Sequence, residues 1–196
     1  MKIGVDVDGV LTELETFVID YGSKLCFENN VEIDIEPSEY TLEGMFGVDR
    51  EVDERFWEIH HEYYAENVTP KSFASEILNK LKEEGHEICI ITARYQTDKD
   101  TEIGERARVL LNKWLSKHKI PYDKIIYSGH EKVPHCLEQK IDVMIDDAPK
   151  NLEEISEHLP VICYDAGYNK NYNGSKIYRC YSWYQIYQTI NMIEKN

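Results

Sequence analysis

Short apolar runs recur along the chain, and each of them ends in a polar or acidic residue. Runs of this length, bounded by polar positions, are typical of strands buried inside a sheet. The pattern predicts a sixth, weaker strand at Lys176–Cys180. The five stronger predicted strands are Lys2–Val5, Glu87–Ile91, Lys124–Tyr127, Val143–Ile145 and Val161–Tyr164.

Helical patterns separate most of the predicted strands. Ser72–Glu84 places its apolar residues on one face and stops before Gly85, where the pattern predicts a helix end. Further helices are predicted at Glu102–His118, Leu152–His158 and Trp183–Glu194. Strands that alternate with helices predict a Rossmann-like α/β fold, in which a doubly wound parallel sheet lies between two helical layers.

The long segment between the first predicted strand and the helix at Ser72 interrupts this alternation. Leu14–Phe27 and Phe56–Tyr64 have helical periodicity, whereas Asn29–Gly47 is acidic and rich in turn residues. A single crossover helix needs far fewer residues. We therefore predict an α/β core formed by residues 1–13 and 70–196, with residues 14–69 as a helical cap over the active site.

Composition and charge exclude several classes of protein. Hydrophobic residues make up 42% of the chain, which is enough for a folded core. The formal net charge of −15 opposes binding to a nucleic-acid polymer. We find no signal peptide and no apolar run of membrane-spanning length, and the five scattered cysteines lack CxxC spacing. We expect a cytoplasmic protein with reduced thiols and no membrane partner, and homo-oligomer formation remains open.

Two carboxylates follow the first predicted strand. Asp6 and Asp8 would point the same way in a continuing strand and repel each other. A magnesium ion, which prefers oxygen ligands, would remove that repulsion. Gly9 allows a sharp turn whose free amides face an anion.

Polar groups also follow other strands of the predicted sheet. Thr92 and the open amide after it, at Ala93, suit the oxygens of a phosphate. Asp146 and Asp147 suggest a cation, although acids at the N-terminus of a helix would also explain them. Lys132 precedes a short predicted helix. In a parallel sheet these loops meet at one edge, so their coincidence favours a phosphate and metal site.

At these residues the chain resembles the haloacid-dehalogenase-like (HAD) phosphatase superfamily. The motifs are Asp6–Thr12 (DVDGVLT), Ile90–Arg94 (IITAR), Lys132, and Ile145–Asp147 (IDD). The segment after the first motif resembles the superfamily's C1-type cap. The DVDGVLT run, the Phe56-Trp57 pair, and Pro149 and Asn151 after IDD resemble the 5′(3′)-deoxyribonucleotidase group and its bacterial relatives.

The resemblance implies a role for each motif residue. Asp6 would be the nucleophile and form an aspartyl phosphate, while Asp8 would act as acid and then base. Thr92, Ala93 and Lys132 would bind the phosphoryl group, with Lys140 as a rival for Lys132. Magnesium would be held by the Asp6 carboxylate, the Asp8 carbonyl and the Asp146/Asp147 pair, with Asp147 as the favoured direct ligand.

The resemblance also implies a small phosphate ester as substrate, most reasonably a (deoxy)nucleoside monophosphate. The predicted cap is rich in aromatic residues that would stack on a base, although such residues also pack helices together. An alternative is another small phosphate ester, such as a sugar phosphate. A receiver-like protein is a further alternative, which the early lone nucleophile, the late adjacent acids and the large insertion oppose. A non-catalytic phosphate-binding protein is another, which the intact Asp6 and Asp8 oppose.

Overall fold

Six parallel strands form the centre of a computed structural model that describes residues 1–195. The sheet order is β3-β2-β1-β4-β5-β6, and every neighbouring pair is parallel. The predicted doubly wound α/β fold is therefore confirmed. The strands are β1 (Lys2–Val5), β2 (Glu87–Thr92), β3 (Lys124–Tyr127), β4 (Val143–Asp146), β5 (Val161–Tyr164) and β6 (Ile177–Cys180).

Helices cover both faces of this sheet. On one face, Ile88 and Ile90 of β2 pack in a core that also contains Leu81 and Trp114. On the other face, Cys89 and Ile91 pack in a second core. This alternation along one strand is why a parallel sheet reads as a continuous apolar run. The helices are α1 (Leu14–Glu28), α2 (Leu42–Phe46), α3 (Arg50–Asn67), α4 (Ala74–Glu83), α5 (Glu102–Lys117), α6 (Val133–Gln139), α7 (Pro149–Ser156) and α8 (Trp183–Glu194).

The position of β1 determines where a ligand can bind. β1 pairs with β2 on one side and with β4 on the other, so the order of connection reverses at this strand. A crevice forms where the order reverses, beyond the carboxyl ends of the strands. β1 ends next to Asp6, β2 ends at Thr92, and β4 ends at Asp146. The topology therefore brings these three residues to one edge of the sheet.

The segment between β1 and α4 contains three helices, of which two were predicted. The missed helix is α2, a short helix in the turn-rich stretch. Thr41 Oγ1 accepts a hydrogen bond from the Gly44 amide at its start, and Gly47 ends it with a φ of 62°. α3 extends beyond the predicted Phe56–Tyr64 at both ends, because its first turns are polar and carry no apolar period.

The chain leaves the core and returns to it at neighbouring points. Thr12 forms an isolated antiparallel bridge with Pro70, and Glu13 N donates to Thr69 O at 2.9 Å. Lys71 Nζ lies 2.6 Å from the Glu13 carboxylate. These contacts hold both ends of the intervening segment side by side. The division into a core and a cap at residues 13–14 and 69–70 stays a prediction.

Other sequence predictions differ from the structure only at their edges. α7 begins at Pro149 rather than Leu152, because proline fits the first helical position. All five cysteines are buried and free. Among the described helices, none has the length and apolarity that crossing a membrane requires.

Trp114 offers a test of how α5 holds the end of α3. Its indole Nε1 donates to Val68 O at 2.9 Å, and its side chain is 1% exposed. Trp114→Phe removes this donor and leaves a buried carbonyl without its partner. We expect the free energy of unfolding to fall by about 1–3 kcal/mol, measured by urea denaturation with circular dichroism. Tyr181→Phe, at an exposed ring, is the control, and an equal effect of both changes would contradict the expectation.

Candidate active site

Three buried carboxylates meet where β1 and β4 end. Asp6, Asp146 and Asp147 each offer an oxygen, and these oxygens lie within 4.8 Å of one another. All three residues are buried, with Asp146 fully inaccessible to solvent. Buried carboxylates repel one another strongly unless a cation compensates their charge.

Lys132 supplies one compensating charge. Its ammonium lies 2.8 Å from Asp6 Oδ1 and 2.7 Å from Asp146 Oδ2, and the residue is 2% exposed. It lies immediately before α6, which carries the side chain toward the ends of β1 and β4. Lys140, the rival considered from the sequence, lies at the opposite end of α6. The structure thus brings Lys132, and not Lys140, to the carboxylate cluster.

The two carboxylates of the Asp146-Asp147 pair differ in how fully they are hydrogen-bonded. Asp146 Oδ1 accepts from the amides of Asp147 and Ala148 and from Asn151 Nδ2, each at 3.0 Å. Asp147 Oδ2 accepts from the Tyr168 hydroxyl. Asp147 Oδ1, in contrast, is buried with no partner among the described residues. A buried carboxylate oxygen without a hydrogen-bond partner is available as a ligand for a cation.

The electrostatics of the cluster also fit a divalent cation. Burial raises the pKa of Asp6 to about 7, with Lys132 opposing the shift and Asp146 adding to it. Burial, followed by the charges of Asp146 and Asp6, raises the pKa of Asp147 well above its usual range. One ammonium therefore does not balance three carboxylates. A hard cation beside Asp147 would supply the missing positive charge.

The carboxylate of Asp8 has different partners from the carboxylate of Asp6. Its carboxylate accepts hydrogen bonds from Arg94, at 2.5 Å from Nη2 and 3.1 Å from Nε, and from the Tyr64 hydroxyl at 2.6 Å. The chain turns after β1 instead of continuing as a strand, so the repulsion that a continuing strand would impose between Asp6 and Asp8 is relieved. Arg94 supplies a positive charge that neutralises the side chain of Asp8.

Gly9 makes the turn after Asp8 possible. Its φ is +77°, a region that favours glycine, and a Cβ atom placed there would lie 2.0 Å from Asp147 Oδ2. The backbone of the first loop therefore approaches the Asp147 carboxylate closely. Any other residue at this position would both strain the turn and displace that carboxylate.

Thr92 ends β2 and Ala93 follows it, and both lie beside Asp6 because β2 pairs with β1. Thr92 is fully buried, and its Oγ1 accepts from the Arg94 amide at 3.2 Å. Ala93 lines a cavity of about 370 Å³ that also reaches Asp8. The sequence-predicted residues are thus brought to one place: Asp6, Asp8, Thr92, Ala93, Lys132, Asp146 and Asp147.

The cavity lies between the α1–α3 segment and the core. Tyr40, Trp57 and Tyr64 line it, together with His61 and Tyr168. Other aromatic residues of the predicted cap do not line the cavity; they pack against one another or face solvent. Phe17 stacks on Tyr21 at 4.3 Å between ring centroids and meets Phe56 edge-on, whereas Phe27 is 75% exposed.

Several contacts of the site escaped the sequence reasoning, among them those of Arg94 and Tyr168. Arg94 stands in the IITAR run but received no role, because nothing local indicates that it pairs with Asp8. Tyr168 lies in a 3₁₀ turn after β5, and its neighbour Asn169 donates to Asp147 O at 2.9 Å. A single tyrosine in a tyrosine-rich chain carries no sequence signal of this kind.

Comparison with solved structures defines the fold class of the protein. A structure of a HAD-superfamily hydrolase from Ehrlichia chaffeensis aligns with a TM-score of 0.58 at 18% identity, covering 98% of this chain and 97% of that one. A "predicted phosphatase" from Clostridium acetobutylicum aligns with a TM-score of 0.65 at 15% identity, covering 97% and 98%. At such low identity these similarities establish the fold, which is that of HAD-like hydrolases.

Sequence comparison then gives the family. The profile described as "5' nucleotidase, deoxy (Pyrimidine), cytosolic type C protein" matches residues 1–196. A "Putative nucleotidase" of Bacillus cereus is 31% identical, over 95% of this chain and 96% of its own length. A "Putative nucleotidase" of Bacillus subtilis is 27% identical, over 97% and 94%. The chain belongs to this nucleotidase family of the HAD superfamily and is a hydrolase of the phosphatase class.

Asp147→Asn tests the charge imbalance in metal-free protein. Because the folded state raises the pKa of Asp147, its ionisation destabilises the protein increasingly as pH rises above about 4, the ordinary value. Asparagine cannot ionise, so in EDTA we expect the variant to be more stable than wild type by about 1–4 kcal/mol at pH 8, with a smaller gain near pH 4. Chemical denaturation at both pH values measures this.

The exposed Asp34→Asn is the matched control, since it removes the same charge from the surface. An equal gain for both variants, or a greater gain for Asp147→Asn at low pH than at high pH, would contradict the expectation.

Proposed function

We propose that the protein is a magnesium-dependent phosphomonoester hydrolase that acts through an aspartyl phosphate on Asp6, and that its substrate is a (deoxy)nucleoside 5′-monophosphate. The observation that carries the proposal is the buried cluster of Asp6, Asp146, Asp147 and Lys132 beside a cavity. It combines an anionic nucleophile, an ammonium for phosphoryl oxygens and an unpartnered carboxylate oxygen for a cation.

Asp6 is the proposed nucleophile. One of its carboxylate oxygens attacks phosphorus, the new O–P bond forms, and the bond between phosphorus and the ester oxygen breaks. Lys132 lies 2.8 Å from Oδ1 and so positions the carboxylate while it neutralises the phosphoryl oxygens. The Thr92 hydroxyl and the Ala93 amide complete the phosphoryl-binding group, since they lie at the carboxyl end of the strand beside Asp6.

Asp8 is the proposed acid and base. It gives its proton to the leaving ester oxygen and then takes one from the water that attacks the phosphorus of the aspartyl phosphate. That second attack releases phosphate and restores the Asp6 carboxylate. The contacts of Asp8 with Arg94 and Tyr64 hold its carboxyl group in place at the cavity for both proton transfers.

Magnesium would be held by the Asp6 carboxylate, the Asp8 backbone carbonyl and Asp147. The free Oδ1 of Asp147 supports its assignment as the direct ligand. Asp146, whose oxygens already accept hydrogen bonds from amides, Asn151 and Lys132, would act from the outer shell. When bound, the ion supplies charge that stabilises the phosphoryl oxygens as negative charge develops on them.

The family and the cavity support a nucleotide as substrate. The matched family and the bacterial relatives carry nucleotidase names, and the family description includes the word cytosolic. A cavity of about 370 Å³ lies within the range of small-ligand sites, and Trp57 and Tyr64 in its wall offer surfaces for a base. We assign residues 14–69 as the cap that supplies this wall, and we propose a cytoplasmic location.

Asp6→Asn tests the nucleophile. Because an amide does not attack phosphorus, we expect magnesium-dependent turnover of p-nitrophenyl phosphate to fall more than about 10³-fold. Rapid quenching of wild type with a ³²P-labelled substrate should also trap an acid-stable phosphoprotein that Asp6→Asn lacks. Asp34→Asn is the control, and full turnover by Asp6→Asn would refute the assignment.

Magnesium binding is expected to stabilise the metal-free protein. A ligand that binds only the folded state raises the melting temperature, and saturating Mg²⁺ should do so by several degrees. Asp147→Asn should lose most of this increase, whereas Asp34→Asn should retain it. Differential scanning calorimetry in EDTA and in Mg²⁺ provides the comparison, and an unchanged increase in Asp147→Asn would remove that residue from the ligand set.

A further inference from the structure

Two polar atoms in the cavity wall lack the hydrogen bonds that their burial calls for. Arg94 Nη1 and Asp53 Oδ1 are both buried without a partner among the described residues, and both residues line the cavity. Arg94 as a whole is 5% exposed. Buried polar atoms of this kind are normally satisfied by protein, by water or by a ligand. Neither atom has a role in the proposed chemistry at phosphorus.

The two atoms belong to different parts of the cavity. Arg94 contacts Asp8 and therefore lies at the reacting end. Asp53 lies on α3, about three turns before Tyr64, which also contacts Asp8. Three turns of helix span roughly 16 Å along the axis. Asp53 is therefore far from the phosphoryl group, and Trp57, one turn after it on the same helix, shares the cavity wall.

The chemistry of Asp53 restricts what can bind there. An ionised carboxylate only accepts hydrogen bonds, and it repels phosphate. The far end of the cavity thus requires a leaving group that carries N–H or O–H donors and is long enough to reach beyond Trp57. A nucleoside meets both requirements through the N–H groups of its base, whereas a short ester does not extend that far.

We propose that Asp53 Oδ1 accepts a hydrogen bond from a base N–H of the bound nucleotide, while Arg94 Nη1 donates to an oxygen of its sugar. This inference rests on the proposed nucleotidase function and makes Asp53 a determinant of substrate specificity. Burial raises the pKa of Asp53, and hydrogen bonds from the Glu43 amide and the Trp57 side chain oppose this rise. The buried Oδ1 still has no partner of its own among the described residues. A donor from the base would supply the hydrogen bond that Asp53 Oδ1 lacks, beside the ring of Trp57 in the same wall.

The test compares thymidine 5′-monophosphate with its N3-methyl derivative, because N3–H is the only N–H donor of the base once N1 is bonded to the sugar. Asp53→Leu has a similar shape to aspartate but accepts no hydrogen bond. For wild type, kcat/KM should favour thymidine monophosphate by about tenfold or more, mainly through KM. Asp53→Leu should lose this preference, because its kcat/KM for thymidine monophosphate falls toward that for the methylated substrate.

Glu54→Gln is the matched control, since Glu54 is the next residue on α3 but points to solvent, with its side chain 64% exposed. It should keep the wild-type preference. Asp53→Asn serves if Asp53→Leu does not fold, and it should lower the preference at least about threefold. Melting temperatures of all variants separate loss of folding from loss of recognition.

The outcomes distinguish this inference from the proposed function. If wild type hydrolyses p-nitrophenyl phosphate in Mg²⁺ but does not discriminate between the two nucleotides, or hydrolyses neither, the role of Asp53 is refuted and the phosphatase mechanism stands. Equal preference in wild type and Asp53→Leu refutes it as well. If wild type hydrolyses no phosphomonoester in Mg²⁺, the proposed function itself fails.

Discussion

Burial of three carboxylates around a single ammonium is the constraint on which the site depends. Asp6, Asp146 and Asp147 have been removed from water, where each would be well solvated, and Lys132 pairs with only two of them. Such an arrangement lowers the stability of the folded chain, and the same uncompensated negative charge attracts a cation strongly. The parallel sheet keeps it together, because the strands that carry these acids are hydrogen-bonded neighbours.

The backbone provides part of the compensation as well. The amides of Asp147 and Ala148 point at Asp146, so this carboxylate is stabilised by the start of α7 as well as by Lys132. Both sequence interpretations of the pair therefore apply, each to one residue. Asp146 is the acid at the helix N-terminus, and Asp147 is the candidate cation ligand. Asp146 serves the helix and the lysine, which leaves Asp147 available for an ion.

The residues that follow buried strands were predictable from the sequence for a physical reason. Apolar runs mark the strands, the parallel topology fixes which ends share an edge, and Asp6, Thr92 and Asp147 follow directly. The partners Arg94 and Tyr64 were not predictable in the same way. The Tyr64 contact with Asp8 depends on how α3 packs on the core, and the Arg94 contact depends on how the loop after β2 directs a long side chain toward the first loop. Neither property has a local sequence pattern. The position of Asp53 in the cavity depends on the same packing.

The attachment of the α1–α3 segment to the core connects any movement of this segment to the contacts of Asp8. Thr12, at the attachment, lies 2.8 Å from the Tyr64 hydroxyl, which in turn donates to Asp8. A swing of α3 away from the core would pull Tyr64 from Asp8, and only the arginine would remain beside the carboxylate. If this segment opens as the proposed cap, ligand exchange and loss of the Tyr64 contact with Asp8, the proposed acid and base, would be a single event. The proposed chemistry would then be switched off whenever bulk water has free access.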